Sequence, residues 1–400
     1  MGDAAARDNA GPGAGQQGYT RTPRIMNMNF DTVVVGAGVI GLASAWELTK
    51  RGGTVGLFDP DPGHGASWVA GGMLASVTEA HYGEETLVRL LLAGADRWPA
   101  FAEELEGTTG LDIGYLKRGT LVVAVDASDR RALDELLQYR LGLGLVATPM
   151  SPTACREELP ALAPGIRGGA DVPGDHQVDN RKLIAALMSA CANAGVDIVL
   201  QRVSSLRRTD SGAVSGVITD AHEEVGASSV VLCAGSHMNE LYTEAPLLRP
   251  VKGHALRLSS SRDKGPLLER TVRGLVHGRP CYLVPRADGS VVVGATSEER
   301  GFDSTVQAGA VRTLLEDARA LVPGIDELEL AECSVGFRPG SPDNAPLVGW
   351  TGIDRLAIAG GHFRHGVLLA PITGESVGNL IEGQPVCNEM APFVPNRTFK

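Results

Sequence analysis

Short apolar runs that read as buried strands alternate along this chain with longer amphipathic stretches that read as helices. The first run, Val33–Val35, ends in Gly36-Ala37-Gly38-Val39-Ile40-Gly41, and a helical stretch follows over 42–50. A second apolar run, 55–58, closes at Asp59, so residues 30–60 read as one β-α-β unit. Residues 63–75 are small and flexible, which suits a loop lying against a ligand. Helical periodicity covers 84–105, and 119–125 reads as a strand. Asp179-Asn180 caps a helix through 194, with a strand at 196–200. A buried strand over 230–235 ends at glycine, further strands follow at 253–258, 281–285 and 290–294, and 305–321 reads as a helix. The α/β pattern then returns: a strand at 356–359, a Gly360-Gly361 turn and a helix from about Gly366.

This order predicts an α/β (mixed α+β) fold in which a Rossmann-type nucleotide domain is interrupted by an antiparallel-sheet substrate domain. The expected segments are a disordered tail at 1–29, a discontinuous nucleotide domain from 30–110, 165–250 and 330–390, and a substrate domain from 111–164 and 251–329. The net charge of −11 and the lack of a basic block argue against a nucleic-acid partner. No apolar run is long enough to span a bilayer. The six cysteines are widely spaced with no C-x-x-C, and read as thiols of a reducing cytosol rather than a disulfide frame or zinc site. A cytoplasmic enzyme with no metal is therefore expected.

The glycine turn carries the first chemistry. G-x-G-x-x-G after a strand presents backbone N–H groups and a helix N-terminus to a pyrophosphate. Gly36 permits the tight turn, Gly38 the close approach of phosphate, and Gly41 the packing of helix on strand. Asp59, 18 positions past Gly41, can accept hydrogen bonds from a ribose. The fingerprint alone does not separate NAD from FAD.

Several segments then match one family together: V-V-G-A-G-V-I-G (34–41), A-G-G-M-L (70–74), P-V-K-G (250–253), C-Y-L-V-P-R (281–286), V-V-G-A-T (292–296), G-F-R-P-G-S-P-D-N-A-P (336–346) and A-G-G-H-F-R-H-G-V-L-L-A-P (359–371). In these motifs the chain resembles the FAD-dependent D-amino-acid oxidase superfamily, and within it the glycine oxidases of the bacterial thiamine (thiazole) pathway. The resemblance spans about residues 30–385. It implies non-covalent FAD, with Gly36, Gly38, Val39, Ile40, Gly41, Asp59 and Pro60 at the ADP half. Ala66, Ser67, Gly71, Gly72 and Met73 would lie along the pyrophosphate and isoalloxazine, and Val203 at the adenine end. His362, Phe363, Arg364, His365, Gly366, Val367 and Leu368 would border the flavin's pyrimidine end. A helix starting there favours negative charge near flavin N1 and O2.

The resemblance also implies a substrate site. Arg338 matches the arginine that pairs with the substrate carboxylate, Tyr282 the tyrosine whose hydroxyl reaches it, and Arg364 a second arginine lining the site. A guanidinium fork fixes a carboxylate's position and rotation together. The reaction implied is oxidative deamination of glycine, sarcosine or small D-amino acids to imine or glyoxylate, ammonia and hydrogen peroxide. Orientation over the flavin does most of the work, and no dedicated base is assigned. Pro280 stands where relatives often carry histidine, and His365 where asparagine is frequent. The family suggests a homotetramer. Competing readings are a D-amino-acid dehydrogenase passing electrons to a quinone and, more remotely, an NAD-linked dehydrogenase. Gly374-Glu375-Ser376-Val377-Gly378 formally matches G-x-S-x-G, but lies in helical sequence rather than just after a strand.

Overall fold

The structure, a computed structural model, describes residues 28–244, 248–260 and 265–399. The expected tail lies outside these residues except for its last two, and Asn29 already opens the first strand. Asn29–Val35 pairs in parallel with Val55–Phe58 on one side and Glu224–Leu232 on the other. Asp197–Val199 and Leu356–Gly360 extend the parallel core outward, and Leu347–Trp350 closes one edge antiparallel. The hairpin Val203–Arg208/Val214–Thr219 is laid antiparallel on Glu224–Leu232.

Helices Val39–Lys50, Glu85–Thr109, Asn180–Ala194 and Gly366–Ile381 share one apolar core with a face of this sheet. Val39–Lys50 is buried almost all round, which is why it shows little amphipathic periodicity. Gly374 lets Gly366–Ile381 press against it: a Cβ there would lie 2.9 Å from the Ala43 carbonyl oxygen. Ser376 donates to its own helix at Ile372 O, so the G-x-S-x-G glycine is a packing device and not a nucleophile elbow.

The second sheet runs Glu329–Gly340, Arg249–Ser259, Val291–Gly294, Arg279–Pro285, Thr271–Val276, Thr120–Ala124, Gly169–Val172, Thr148–Met150. Its neighbours are antiparallel except Thr271–Val276 with Thr120–Ala124. Gly169–Val172 and Glu329–Gly340 differ from the expected segmentation. They fall at the start of the segments 165–250 and 330–390 expected for the nucleotide domain, yet hydrogen-bond into this second sheet through Thr120–Ala124 and Arg249–Ser259.

The Asp179 cap forms as the sequence suggests, accepting from the Arg181 and Lys182 N–H groups. The helix expected from 305 instead begins at Ala308. Lys252, fully buried, takes Thr305 O and Gln307 Oε1 at 2.7 and 2.9 Å, while Asp303 Oδ1 accepts the Thr305 N–H. Those groups are thereby withdrawn from a further helical turn. Helix Ala127–Gly142 was not foreseen: its mixed polar sequence hides that only Leu133 and Leu137 face the core among its leucines.

Candidate active site

A cavity of about 600 Å³ runs between the two sheets, a size ordinary for small-molecule and cofactor sites. Every residue expected to touch cofactor or substrate lines it except Gly41. Gly41 faces inward, where a Cβ would collide with the Gly36 carbonyl, so its part is to let helix and strand pack. Gly36, at φ +103, also packs too closely on the Cys233 carbonyl to carry a side chain.

At the fingerprint end, Asp59 is held by backbone: Oδ2 accepts the Ala37 N–H at 2.7 Å and Oδ1 the Asp61 N–H at 2.8 Å. Ser67 Oγ accepts the Val39 N–H at 3.0 Å, tying the 66–73 loop to the helix N-terminus. Two buried residues fix that loop from behind. Asn180 donates to Ser67 O and Trp68 O, and Arg286 donates to Gly71 O and to Asn180 Oδ1. Nothing in their sequence context marks these two as loop anchors. Val203 opens its strand at the same end of the cavity.

Another wall of the cavity is the turn before Gly366–Ile381. Gly361 and Phe363 are both left-handed, at φ 68 and 48, and turn the chain into the helix whose cap is His365. Burial drives the His362 imidazole down to about 3, with His365 adding to the effect, while Nε2 meets Thr373 Oγ1 at 3.0 Å. Burial likewise lowers His365 to about 4, against the opposing pull of Glu79. Both rings are therefore neutral at physiological pH. Gly366, Val367 and Leu368 of the first helical turn line the cavity, and N–H groups of a first turn have no partner within the helix.

Arg338 sits near the end of Glu329–Gly340, packed closely by protein, with its remaining surface open to the cavity. Its only hydrogen bond among the described residues runs from Nη1 to Thr296 O at 3.0 Å, and no carboxylate lies within ion-pair distance. Desolvation lowers its pKa, partly offset by Tyr282. The Tyr282 hydroxyl, raised by burial, has no hydrogen-bond partner among the described residues either. Gly71 and Gly294 leave room for the tyrosine ring, and Gly253 for the guanidinium. An enclosed guanidinium and a phenol, both with free donors, are chemically suited to an anion.

Arg364 lines the cavity, as expected, but its charge already has a partner there. Its Nη2 lies 3.1 Å from Oε2 of Glu79, whose Oε1 is 2.6 Å from Arg273 Nη2. Burial opposes the charge of Glu79, but Arg273 and Arg364 outweigh it and hold the carboxyl far below the usual range. Glu79 and Arg273 line the cavity and were missed in sequence. The one available signal was a lone acid in the apolar, small-residue stretch 70–80.

A family model for FAD dependent oxidoreductases matches residues 31–380. Glycine oxidase of Geobacillus kaustophilus is 34% identical over 375 residues, covering 92% of this chain and 97% of that protein. Its crystal structure superposes with a TM-score of 0.86 over 93% of this chain and all of that one. The bifunctional protein ThiO/ThiG of Synechocystis sp. is 34% identical over 377 residues, 93% of this chain, which spans 54% of that relative.

Proposed function

This chain belongs to the FAD-dependent oxidoreductase family, and from that premise we propose that it is an amino-acid oxidase acting on glycine, sarcosine and small D-amino acids. The residues present fit FAD. One continuous cavity joins a pyrophosphate-type turn, in which Gly36 and Gly41 have no room for side chains, to the N-terminus of the helix Gly366–Ile381. Gly36, Gly38, Val39 and Ile40 would hold the ADP half, the 66–73 loop the middle, and His362–Leu368 the flavin. When bound, FAD supplies the hydride acceptor.

The chain's own residues supply placement. Arg338 and Tyr282 bind the substrate carboxylate, and each charge-assisted hydrogen bond so formed is worth about 1.5–3 kcal/mol. Two points of attachment leave the α-carbon little rotational freedom, so its C–H is held in one direction. Arg338 gives up no proton, because a guanidinium stays charged. His362 and His365 are neutral at their burial depth and add no positive charge that would compete for the carboxylate. No side chain is needed to remove the α-proton; the substrate amine has only to be in its neutral form. The imine product hydrolyses in water to a keto acid or glyoxylate and ammonia, or to glyoxylate and methylamine when the substrate is sarcosine.

The unpaired Arg338 guanidinium beside the Tyr282 hydroxyl carries this reading. The fused ThiO/ThiG relative supports a role in making the thiazole of thiamine. Hydrogen peroxide release from glycine, sarcosine and D-alanine under air is the test. No peroxide from any of them, with dye reduction intact, would refute the oxidase. Arg338→Ala should leave the protein yellow and abolish saturable binding of glycine; unchanged affinity would remove Arg338 from the carboxylate role.

A further inference from the structure

We propose that Glu79 is a specificity-determining residue: a built-in counter-anion that restricts the site to substrates carrying a single carboxylate. The proposal rests on the reading of Arg338 as the carboxylate anchor. Three guanidinium groups, Arg338, Arg273 and Arg364, line the substrate end of the cavity. Without Glu79, two of them would offer a second anion site beside the first. Glu79 fills that position from within the chain. Its side chain is 8% exposed, and its two oxygens face different arginines, Arg273 at 2.6 Å and Arg364 at 3.1 Å.

The two contacts are unequal. Oε1 receives a hydrogen bond from Arg273, whose other nitrogen, Nη1, donates to Thr78 Oγ1 at 2.7 Å. Thr78 in turn donates to the buried carboxyl of Asp175. Arg273 is thus anchored on both sides and belongs to the wall. Oε2 accepts no hydrogen bond of proper geometry although it is fully enclosed, and it meets Arg364 through charge alone. Arg364 is the more exposed partner, at 38%, so it is the guanidinium free to turn toward a second anion if Glu79 were neutral. A glycine, sarcosine or D-alanine carboxylate placed on Arg338 leaves Glu79 undisturbed. A dicarboxylate puts its second charge against Glu79, with Arg273 and Arg364 already engaged.

The FAD-loaded protein titrated with acetate and with malonate, following the flavin absorption, tests this alongside kcat/KM for D-alanine and D-aspartate. The wild type should bind acetate more tightly than malonate and prefer D-alanine. Glu79→Gln keeps an acceptor for Arg273, and should shift both ratios toward the dianion by about tenfold, equivalent to ~1.4 kcal/mol. Adding Arg364→Leu should remove the gain. Wild-type protein that binds malonate as tightly as acetate overturns the proposal without any variant. So does a yellow Glu79→Gln protein of unchanged melting temperature in which neither ratio moves. Arg338→Ala separates the two readings: persistent acetate binding there refutes the anchor, whereas the malonate-to-acetate ratio judges Glu79.

Discussion

Replacing Gly253 by alanine perturbs the substrate anchor without altering any group that touches substrate. Gly253 sits in Arg249–Ser259 directly opposite Gly336, and its backbone is ordinary strand. A Cβ built on it would overlap the Arg338 guanidinium, at 2.6 Å from Nη2 and 2.7 Å from Cζ, and Arg338 supplies the three nearest atoms. Ordinary carbon contacts lie at about 3.5–4.0 Å, so the guanidinium must withdraw by roughly 1 Å. Because the obstacle is the far end of a flexible side chain, the strand itself need not move, and the stability change should stay within about 1 kcal/mol. A displaced fork loses one of its two bonds to the carboxylate, about 1.5–3 kcal/mol. That corresponds to binding weakened by roughly 10- to 150-fold. Acetate titration of the flavin absorption reads the affinity, while flavin content and melting temperature report on the scaffold. A Gly253→Ala protein with normal colour, normal melting and unchanged acetate affinity would refute the reasoning.

Tyr282→Phe should raise the acetate dissociation constant by about tenfold, one hydrogen bond to a charged group, with flavin retained; an unchanged constant would place the phenol elsewhere. Gly41→Ala should cost about 1–3 kcal/mol of stability by overpacking and weaken FAD binding through the displaced Gly36 turn, read by melting and by flavin loss on dilution. For pH, His365 is held near 4 in the folded protein against 6.5 ordinarily. The unfolded chain therefore binds more protons between those values, and stability falls as pH drops through that window. At pH 5 the loss is about 2 kcal/mol for this residue. His365→Asn should reduce the pH dependence of the melting temperature between pH 5 and 7, leaving the share due to His362, and an unaltered slope would contradict the neutral-imidazole assignment.

Features legible in the sequence share a local cause. The glycine spacing of 36–41, the Asp179 cap and the turn at 360–366 each solve a backbone problem within a few residues, and such problems have few residue solutions. The substrate end was legible only through the separate motifs containing Arg338, Tyr282 and Arg364, because its pieces come from strands and loops far apart. Arg273 and Glu79 are separated by 194 positions, and each alone looks like a surface charge. Asn180 was read as part of a helix start, though its side chain holds the 66–73 loop in place. The helix start at Ala308 escaped prediction for the same reason: Lys252, more than fifty residues away, claims the groups that would have extended it.

The strand carrying Arg338 does not stop at the substrate. Pro339 O accepts the Phe363 N–H at 3.0 Å, and Gly340 forms a bridge with His362. The proposed carboxylate anchor and flavin-side turn are therefore stitched together by main chain, like the jaws of a fixed-gap caliper. The span between Arg338 and the turn is a backbone dimension that side-chain mutations elsewhere leave alone. Under the proposed roles, substrate size is then judged against a rigid gauge. Lengthening accepted substrates would require rebuilding the 339–363 junction, rather than enlarging the cavity wall.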